Sequence, residues 1–400
     1  MGRLVCGGQS LDTHGGASLK VAHVIIGLGR GGAEMMLKRL VQAHQGNMNY
    51  QHEVISLTTM GIYGDVLQAM GVPVHALGLR SLFGVPRVFW ALQRLIRQIQ
   101  PDVVQTWMYH ADLLGGLAAK MAGGVPVIWG IHSLDLKRSG SHQTRVVQKL
   151  CAWSSSWLPS RILCVAEASR RVHVALGYDA QRITVIPNGF DAEPAPIAAE
   201  AVAALRAELG ITAGQVLIGC VGRFNPAKDH RNFVEAAARV AQRRPEARFL
   251  MVGAGLDKDN AILWSWIAVT GCAERFVLLG ERSDVPRLLA AMDVFCSSSR
   301  TEAFPLVVGE AMVMARPSVV TDVGDTALLV GDTARVVERE NPQALAQGLL
   351  DLLAMSAEDR AAFGGRAHAR VQREFSMHRA RERTEAVYAQ VVGSTKKGST

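Results

Sequence analysis

The chain has 400 residues, 49% of them hydrophobic and 20% charged, with a formal net charge of +8. Such values describe a globular protein of two or three domains, each able to bury its own core, and exclude a disordered chain. Residues 1–190 hold 18 Lys and Arg against 9 Asp and Glu, whereas residues 191–400 hold 25 against 26. The basic first half fits an anionic partner such as a membrane surface, a lipid diphosphate or an acidic glycan, or simply a soluble basic surface. Nucleic acid is not expected, because no nucleic-acid-binding motif accompanies the charge.

The first eighteen residues, MGRLVCGGQSLDTHGGAS, lack the apolar stretch of a signal peptide, and residues 1–19 read as a disordered extension. No run reaches the length of a transmembrane helix, so membrane contact would be peripheral and the expected location is cytoplasmic, including the inner face of the membrane. Six scattered cysteines, at 6, 151, 164, 220, 272 and 296, form no C-x-x-C pair. They read as reduced, mostly buried thiols without a metal site.

Regular structure opens with Lys20 to Ile26 (KVAHVII), a buried parallel-type strand by its β-branched content. A Gly-rich turn and a helix over Ala33 to His44 follow. Further strands are expected near His52 to Leu57, Val103 to Thr106, Val125 to Trp129, Ile162 to Val165 and Ile183 to Ile186, with helical stretches between them. Turn chemistry in Pro187-Asn188-Gly189-Phe190-Asp191, then an Ala/Pro/Glu-rich passage, marks a domain boundary. The alternation restarts with Gln215 to Val221, Arg248 to Val252, Phe276 to Leu279, Val294 to Cys296, Ser318 to Val320 and Arg335 to Val337. Two α/β domains in tandem, each a doubly wound parallel sheet, are the simplest architecture. After Asn341 the pattern is helical to about Val392, and residues 393–400 read as a disordered tail.

Several loops at strand ends carry chemistry. Gly27 to Gly32 fits G-x-G-x-x-G, the dinucleotide turn, but no acid stands at the end of the second strand to hold a ribose; Glu53 has the separation yet begins its strand. Glycines at 31 and 32 also let backbone approach a diphosphate directly. In Val221 to His230, Arg223 leaves a strand and Lys228 precedes a helix, so both cations can converge on a diphosphate leaving group, or stand as exposed loop residues. His132 and His110 each follow a strand of the first half, where a lone histidine is more often structural. Asp257-Lys258-Asp259 is formally a D-x-D metal motif, better explained as turn and N-cap residues. Arg80 to Arg97 is basic, aromatic and amphipathic, which suits helix packing on the sheet, and its exposed arginines can also touch anionic lipid.

The stretch Asp293 to Asp325 places Glu302 and Glu310 across a strand-to-helix turn with seven residues between them. A carboxylate accepts sugar hydroxyls and a helix start suits a phosphate, while the plainer reading makes Glu302 a cap and Glu310 a solvated residue. The run resembles the E-x7-E signature of retaining glycosyltransferases of family four. Gly31-Gly32-Ala33-Glu34, His132, Pro187-Asn188-Gly189 and Arg223 with Lys228 resemble that family's other motifs in the expected order, except that Asp229 stands where a Gly is usual.

The resemblance implies two Rossmann-like domains facing a central cleft, the glycosyltransferase-B fold. It places an acceptor domain at 20–190, a donor domain at 191–375 and a final helix, 376–392, crossing back to the first. It implies transfer of a sugar from a nucleotide-diphosphate donor to a hydroxyl of a glycan or lipid-linked acceptor, with no metal or other cofactor required. Glu302 would contact donor-sugar hydroxyls and Glu310 the ribose. Backbone around Phe304, Pro305 and Leu306 would face sugar and phosphate, and Gly280 to Arg282 would lie near the base. Arg223 and Lys228 would stabilise the departing diphosphate, His132 would stand beside the donor sugar, and His110 would lie on the acceptor side or merely start a helix. A nucleotide-sugar epimerase, or a non-catalytic nucleotide- or glycan-binding protein, would share this fold.

Overall fold

The structure is a computed structural model that describes residues 18–134, 142–191 and 197–397. The N-terminal extension, apart from residues 18 and 19, lies outside the described residues, as does Cys6. The first sheet contains β1 (Leu19–Ile25), β2 (Tyr50–Ser56), β3 (Val74–Ala76), β4 (Val103–Trp107), β5 (Val127–Ile131), β6 (Arg161–Cys164) and β7 (Ile183–Val185). The second contains β8 (Val216–Val221), β9 (Ala247–Val252), β10 (Phe276–Leu278), β11 (Val294–Ser297), β12 (Ser318–Thr321) and β13 (Arg335–Val337). All recorded pairings are parallel, and the orders are β3-β2-β1-β4-β5-β6-β7 and β10-β9-β8-β11-β12-β13.

Central strands are buried along their whole length, as in β4, because helices cover both sheet faces. On one face of the first sheet Ala22, Val24, Ile55 and Val104 pack against Val88, Leu92 and Ile96 of the helix Val85–Ile99. On the other, Val21, Val103 and Ile128 meet Val387, Tyr388 and Val391 of the last helix, Met377–Lys397. That helix therefore belongs to the core of the first sheet although it follows the second in sequence. Tyr388 anchors it by donating its hydroxyl to Gln105 inside the core.

The chain passes between the sheets at two points that run side by side. Phe190 N donates to Phe375 O at 2.9 Å and Met377 N to Phe190 O at 2.8 Å. Gly189 is required there, since a Cβ would lie 2.7 Å from Met377 Cα. The five cysteines among the described residues are buried and unpaired.

Three details differ from the sequence expectation. β3 has only three residues at a sheet edge, too few to show a period. The last helix continues to Lys397 instead of fraying at 393, and within it Ser394 Oγ donates to Gln390 O at 2.7 Å. Finally, the helix after Asp257-Lys258-Asp259 is capped by Asn260, which accepts from Ile262 N and Leu263 N. The aspartates only form the preceding turn, Asp259 N donating to Asp257 Oδ1 at 3.1 Å.

Candidate active site

In each sheet the order reverses between two central strands, β1 and β4 in the first, β8 and β11 in the second. Loops leaving the carboxyl ends of such a pair diverge and open a crevice, where parallel sheets take ligands. β1 runs into the Gly27 to Gly32 turn, β4 into His110 and β5 into His132; β8 runs into Arg223 and Lys228, and β11 into Glu302. The two edges oppose one another. Arg30 Nη1 lies 2.8 Å from Glu281 Oε1, and a Cβ placed on Gly32 would meet Leu306 Cδ1 at 3.5 Å.

The second-domain loops are tied together at four points. Lys228 Nζ lies 2.5 Å from Glu302 Oε1, which also accepts from Ser299 Oγ at 2.8 Å. Arg300 N donates to Ala227 O at 2.8 Å, and Ser298 Oγ to Lys228 O at 3.0 Å. Arg300 Nε bonds Asp229 Oδ2 at 2.7 Å. Asp229 itself adopts φ +48°, the left-handed region that explains why glycine suits this position. Aspartate tolerates that conformation, and its carboxylate both caps the next helix through Asn232 N and holds Arg300. The departure from the family pattern thus preserves the loop. Arg223 is exposed at the mouth of the crevice, close enough to act electrostatically on Glu34 of the first domain.

Glu302 does not cap the helix Leu306–Val313, whose N-cap is Pro305, without a side-chain cap. The first amides of this helix are left without intrahelical acceptors and stand beside Glu302. The Phe304 ring turns inward, stacking on Phe190 at 6.3 Å and tilted on Phe375 at 5.5 Å, so only its backbone is offered to the cleft; Pro305 is buried beside it. One turn along, Glu310 Oε1 accepts from Arg39 Nη2 of the first domain at 2.7 Å. Burial pushes the Glu310 carboxyl above its ordinary pKa, and the Arg39 guanidinium opposes that rise. Arg39 Nη1 is enclosed and has no partner among the described residues.

In the first domain Gly31 is the N-cap of the helix Gly32–Ala43. A side chain there would strike the Glu34 carboxylate at 2.3 Å, so the glycine lets Glu34 fold back over the helix start. His132 stacks on Trp107 at 4.9 Å, and Trp107 Nε1 donates to His23 Nδ1 at 3.3 Å. Burial pushes the His132 pKa down to about 4, so the ring is neutral at pH 7. Its Nδ1 is enclosed without a partner among the described residues, free hydrogen-bonding capacity at a strand end. His110, the second residue of the helix Tyr109–Met121, is half-buried, which lowers its pKa.

Gly280 takes φ +63° and its carbonyl accepts from Gly253 N at 2.7 Å, while Arg282 is held in a two-pronged pair with Asp284, both bonds 2.8 Å. Glu53 lies inside β2 and meets His75 at 3.2 Å, away from any ribose position at the strand end.

Residues not singled out from the sequence also span the cleft. Arg39 looks like one more polar helix residue, since its partner lies 271 positions away. Asp325 accepts from Glu167 N at 2.6 Å and Ala168 N at 2.9 Å, capping a first-domain helix from the second domain. Its place after a Gly turn at the end of β12 was the available signal.

The profile described as "Glycosyltransferase Family 4" matches residues 30–194, and that described as "Glycosyl transferases group 1" matches residues 215–355. A UDP-Gal:alpha-D-GlcNAc-diphosphoundecaprenol alpha-1,3-galactosyltransferase of Escherichia coli is 27% identical over 66% of this chain and 69% of its own. A GDP-mannose-dependent monoacylated alpha-(1-6)-phosphatidylinositol monomannoside mannosyltransferase of Corynebacterium glutamicum is 29% identical over 73% and 77%. Among solved structures, Anabaena HepE in complex with UDP and glucose superposes with a TM-score of 0.83 at 21% identity, covering 93% of this chain and 100% of that one. A glycosyltransferase from Rickettsia africae gives 0.79 at 18%, covering 94% and 99%. With both halves matched and the two opposed sheets of the glycosyltransferase-B fold, this chain belongs to the family-four glycosyltransferases.

Proposed function

We propose that the protein transfers a hexose from a nucleotide diphosphate to a hydroxyl of a glycan or lipid-linked acceptor, retaining the anomeric configuration. The donor lies in the second domain, the acceptor in the basic first domain. The observation that carries this reading is the contact of Lys228 with Glu302 at 2.5 Å, at the switch point of the second sheet and beside the first amides of the helix Leu306–Val313. A cation, a carboxylate and unpaired amides at one point suit a ligand that is part diphosphate, part polyol.

In this reading Glu302 exchanges part of its contact with Lys228 for donor-sugar hydroxyls, freeing the ammonium for the diphosphate. The acceptor oxygen bonds to the anomeric carbon as the bond from that carbon to the diphosphate oxygen breaks. The acceptor proton passes to the leaving phosphate on the same face, so no protein base is invoked. Lys228 and Arg223 neutralise the charge that develops, and His132, neutral, stands beside the donor sugar.

A thermal-shift panel of UDP-, GDP- and ADP-sugars, with NAD and NADP as controls and with or without EDTA, tests the donor site. One nucleotide sugar is expected to raise Tm regardless of EDTA. Stabilisation by NAD alone would overturn the assignment, and donor turnover without any acceptor would favour an epimerase.

Glu310 is assigned to the donor ribose, which makes Arg39 a positioning residue. Removing the guanidinium leaves a carboxylate whose pKa burial already raises, so more of it is protonated as pH falls. Arg39→Ala is expected to raise the donor KM about tenfold near neutrality, and further toward pH 6 than toward pH 8, with a smaller change in kcat. A donor KM that is unchanged at both pH values counts against the ribose assignment.

A further inference from the structure

The helices Val85–Ile99, Tyr109–Met121 and His142–Ser154 form one layer over the first sheet, their inner faces buried in its core. The layer is stitched at the end of the middle helix: Arg97 Nη2 donates to Met121 O at 2.9 Å, and Lys120 Nζ lies 4.7 Å over the Trp157 ring. Its outer face carries large apolar side chains that nothing among the described residues covers. Val146, Leu150 and Trp153 recur at helical spacing on one stripe, Trp157 stands just beyond, and Trp90 is exposed on the first helix of the layer. Trp153 is 73% exposed.

The charge around this stripe is predominantly positive; Asp179, whose amide donates to Ser155 Oγ at 2.9 Å, is paired with Arg182 at 3.4 Å. From residue 66 to residue 166 there are ten Lys and Arg but only Asp102, Asp112 and Asp135. Asp112 is fully buried, Asp102 accepts from the Lys20 amide on the amino edge of the sheet, and Asp135 lies outside the described residues. The outward positions Arg94, Arg97, Lys120, Arg145 and Lys149 are all exposed.

We propose that this face docks on an anionic lipid bilayer, with Trp153 and Trp157 seated at the headgroup level and the neighbouring cations over lipid phosphates. Tryptophan suits that boundary because its ring is apolar and its N–H polar, and Lys and Arg can lay their stems on the acyl boundary while keeping their charges among phosphates. A second copy of the chain is the poorer occupant, since a two-fold contact would set this cationic face against itself. Docking places the first domain, which in the transfer reading holds the acceptor, against the surface where a lipid-linked acceptor resides.

The test is co-sedimentation of the full chain with phosphatidylglycerol-containing and pure phosphatidylcholine vesicles. Binding is expected only to the anionic vesicles, to weaken at about 0.5 M salt as screening shortens, and to fall about tenfold in Trp153→Ala/Trp157→Ala as buried ring area is lost. Lys120→Glu/Lys149→Glu should weaken it as well. Circular dichroism and donor-induced thermal shift of each variant are expected to match the parent, which separates docking from folding and from the transferase reading. Equal binding to both vesicle types, no binding to either, or full binding by the tryptophan variant overturns the proposal. So does a solution dimer that the tryptophan substitutions dissolve, which would give the face to a second copy.

Discussion

Lys228→Ala is expected to lower kcat by about 100- to 1,000-fold, the loss typical of removing one preorganised charge from a developing anion. The backbone around Lys228 is held independently of its ammonium: its amide donates to Asn225 O at 2.9 Å, its carbonyl accepts from Ser298, and Asp229 is anchored by Arg300. Loss of the side chain therefore leaves the loop in place. The ion pair with Glu302 is partly solvated, with side-chain exposures of 27% and 15%, so its removal should cost stability only about 1 kcal/mol. Because the leaving group gains charge in the transition state, the effect should appear in kcat more than in donor KM. Lys228→Arg keeps the charge in another shape and should recover part of the rate. A folded Lys228→Ala protein with kcat within about threefold of the parent would remove Lys228 from the reaction.

Gly324→Ala should carry the second large effect, and it reaches the site through backbone alone. Gly324 has φ +56°, and a Cβ there would lie 1.9 Å from Glu302 O and 2.7 Å from Ala303 O. Neither atom is the tip of a flexible side chain. Left-handed strain together with overpacking is expected to cost about 2–4 kcal/mol, a fall in Tm of roughly 4–16 °C. If the chain yields instead, the peptide carrying Glu302 must move away from Lys228. The neighbouring Asp325 would be displaced too, since its amide bonds Ala303 O at 3.0 Å and its carboxylate caps the first-domain helix. Loss of kcat in the fraction that stays folded is thus expected alongside the lower Tm. Gly365→Ala, where a Cβ meets nothing within 4 Å, is the control and should be neutral or slightly stabilising. Parent-like Tm and kcat for Gly324→Ala would contradict the packing of this turn.

Much of the architecture was legible because it is written in local pattern. A buried parallel strand needs a short run of β-branched and apolar residues, and Val103 to Thr106 or Ser318 to Val320 can hardly be read otherwise. β3 escaped because three edge residues show no period. At the site, Arg223 and Lys228 stand out as cations in a loop that follows a strand, and Glu302 and Glu310 through the resemblance of their run to the E-x7-E signature. Asp229 could be recognised as a departure, but only its φ of +48° tells that the loop shape survives.

The sequence by itself determined the two alternating α/β halves, the order of the motifs and the basic character of the first half, because each depends on residues adjacent in the chain. Tertiary structure decided that Arg39 holds Glu310, that Asp325 caps a helix of the other domain, and that the outer stripe at Trp153 is exposed among the described residues. The two contacts join positions more than a hundred residues apart. Their distances are set by how two sheets face across a cleft, and no neighbouring residue in the chain records that distance.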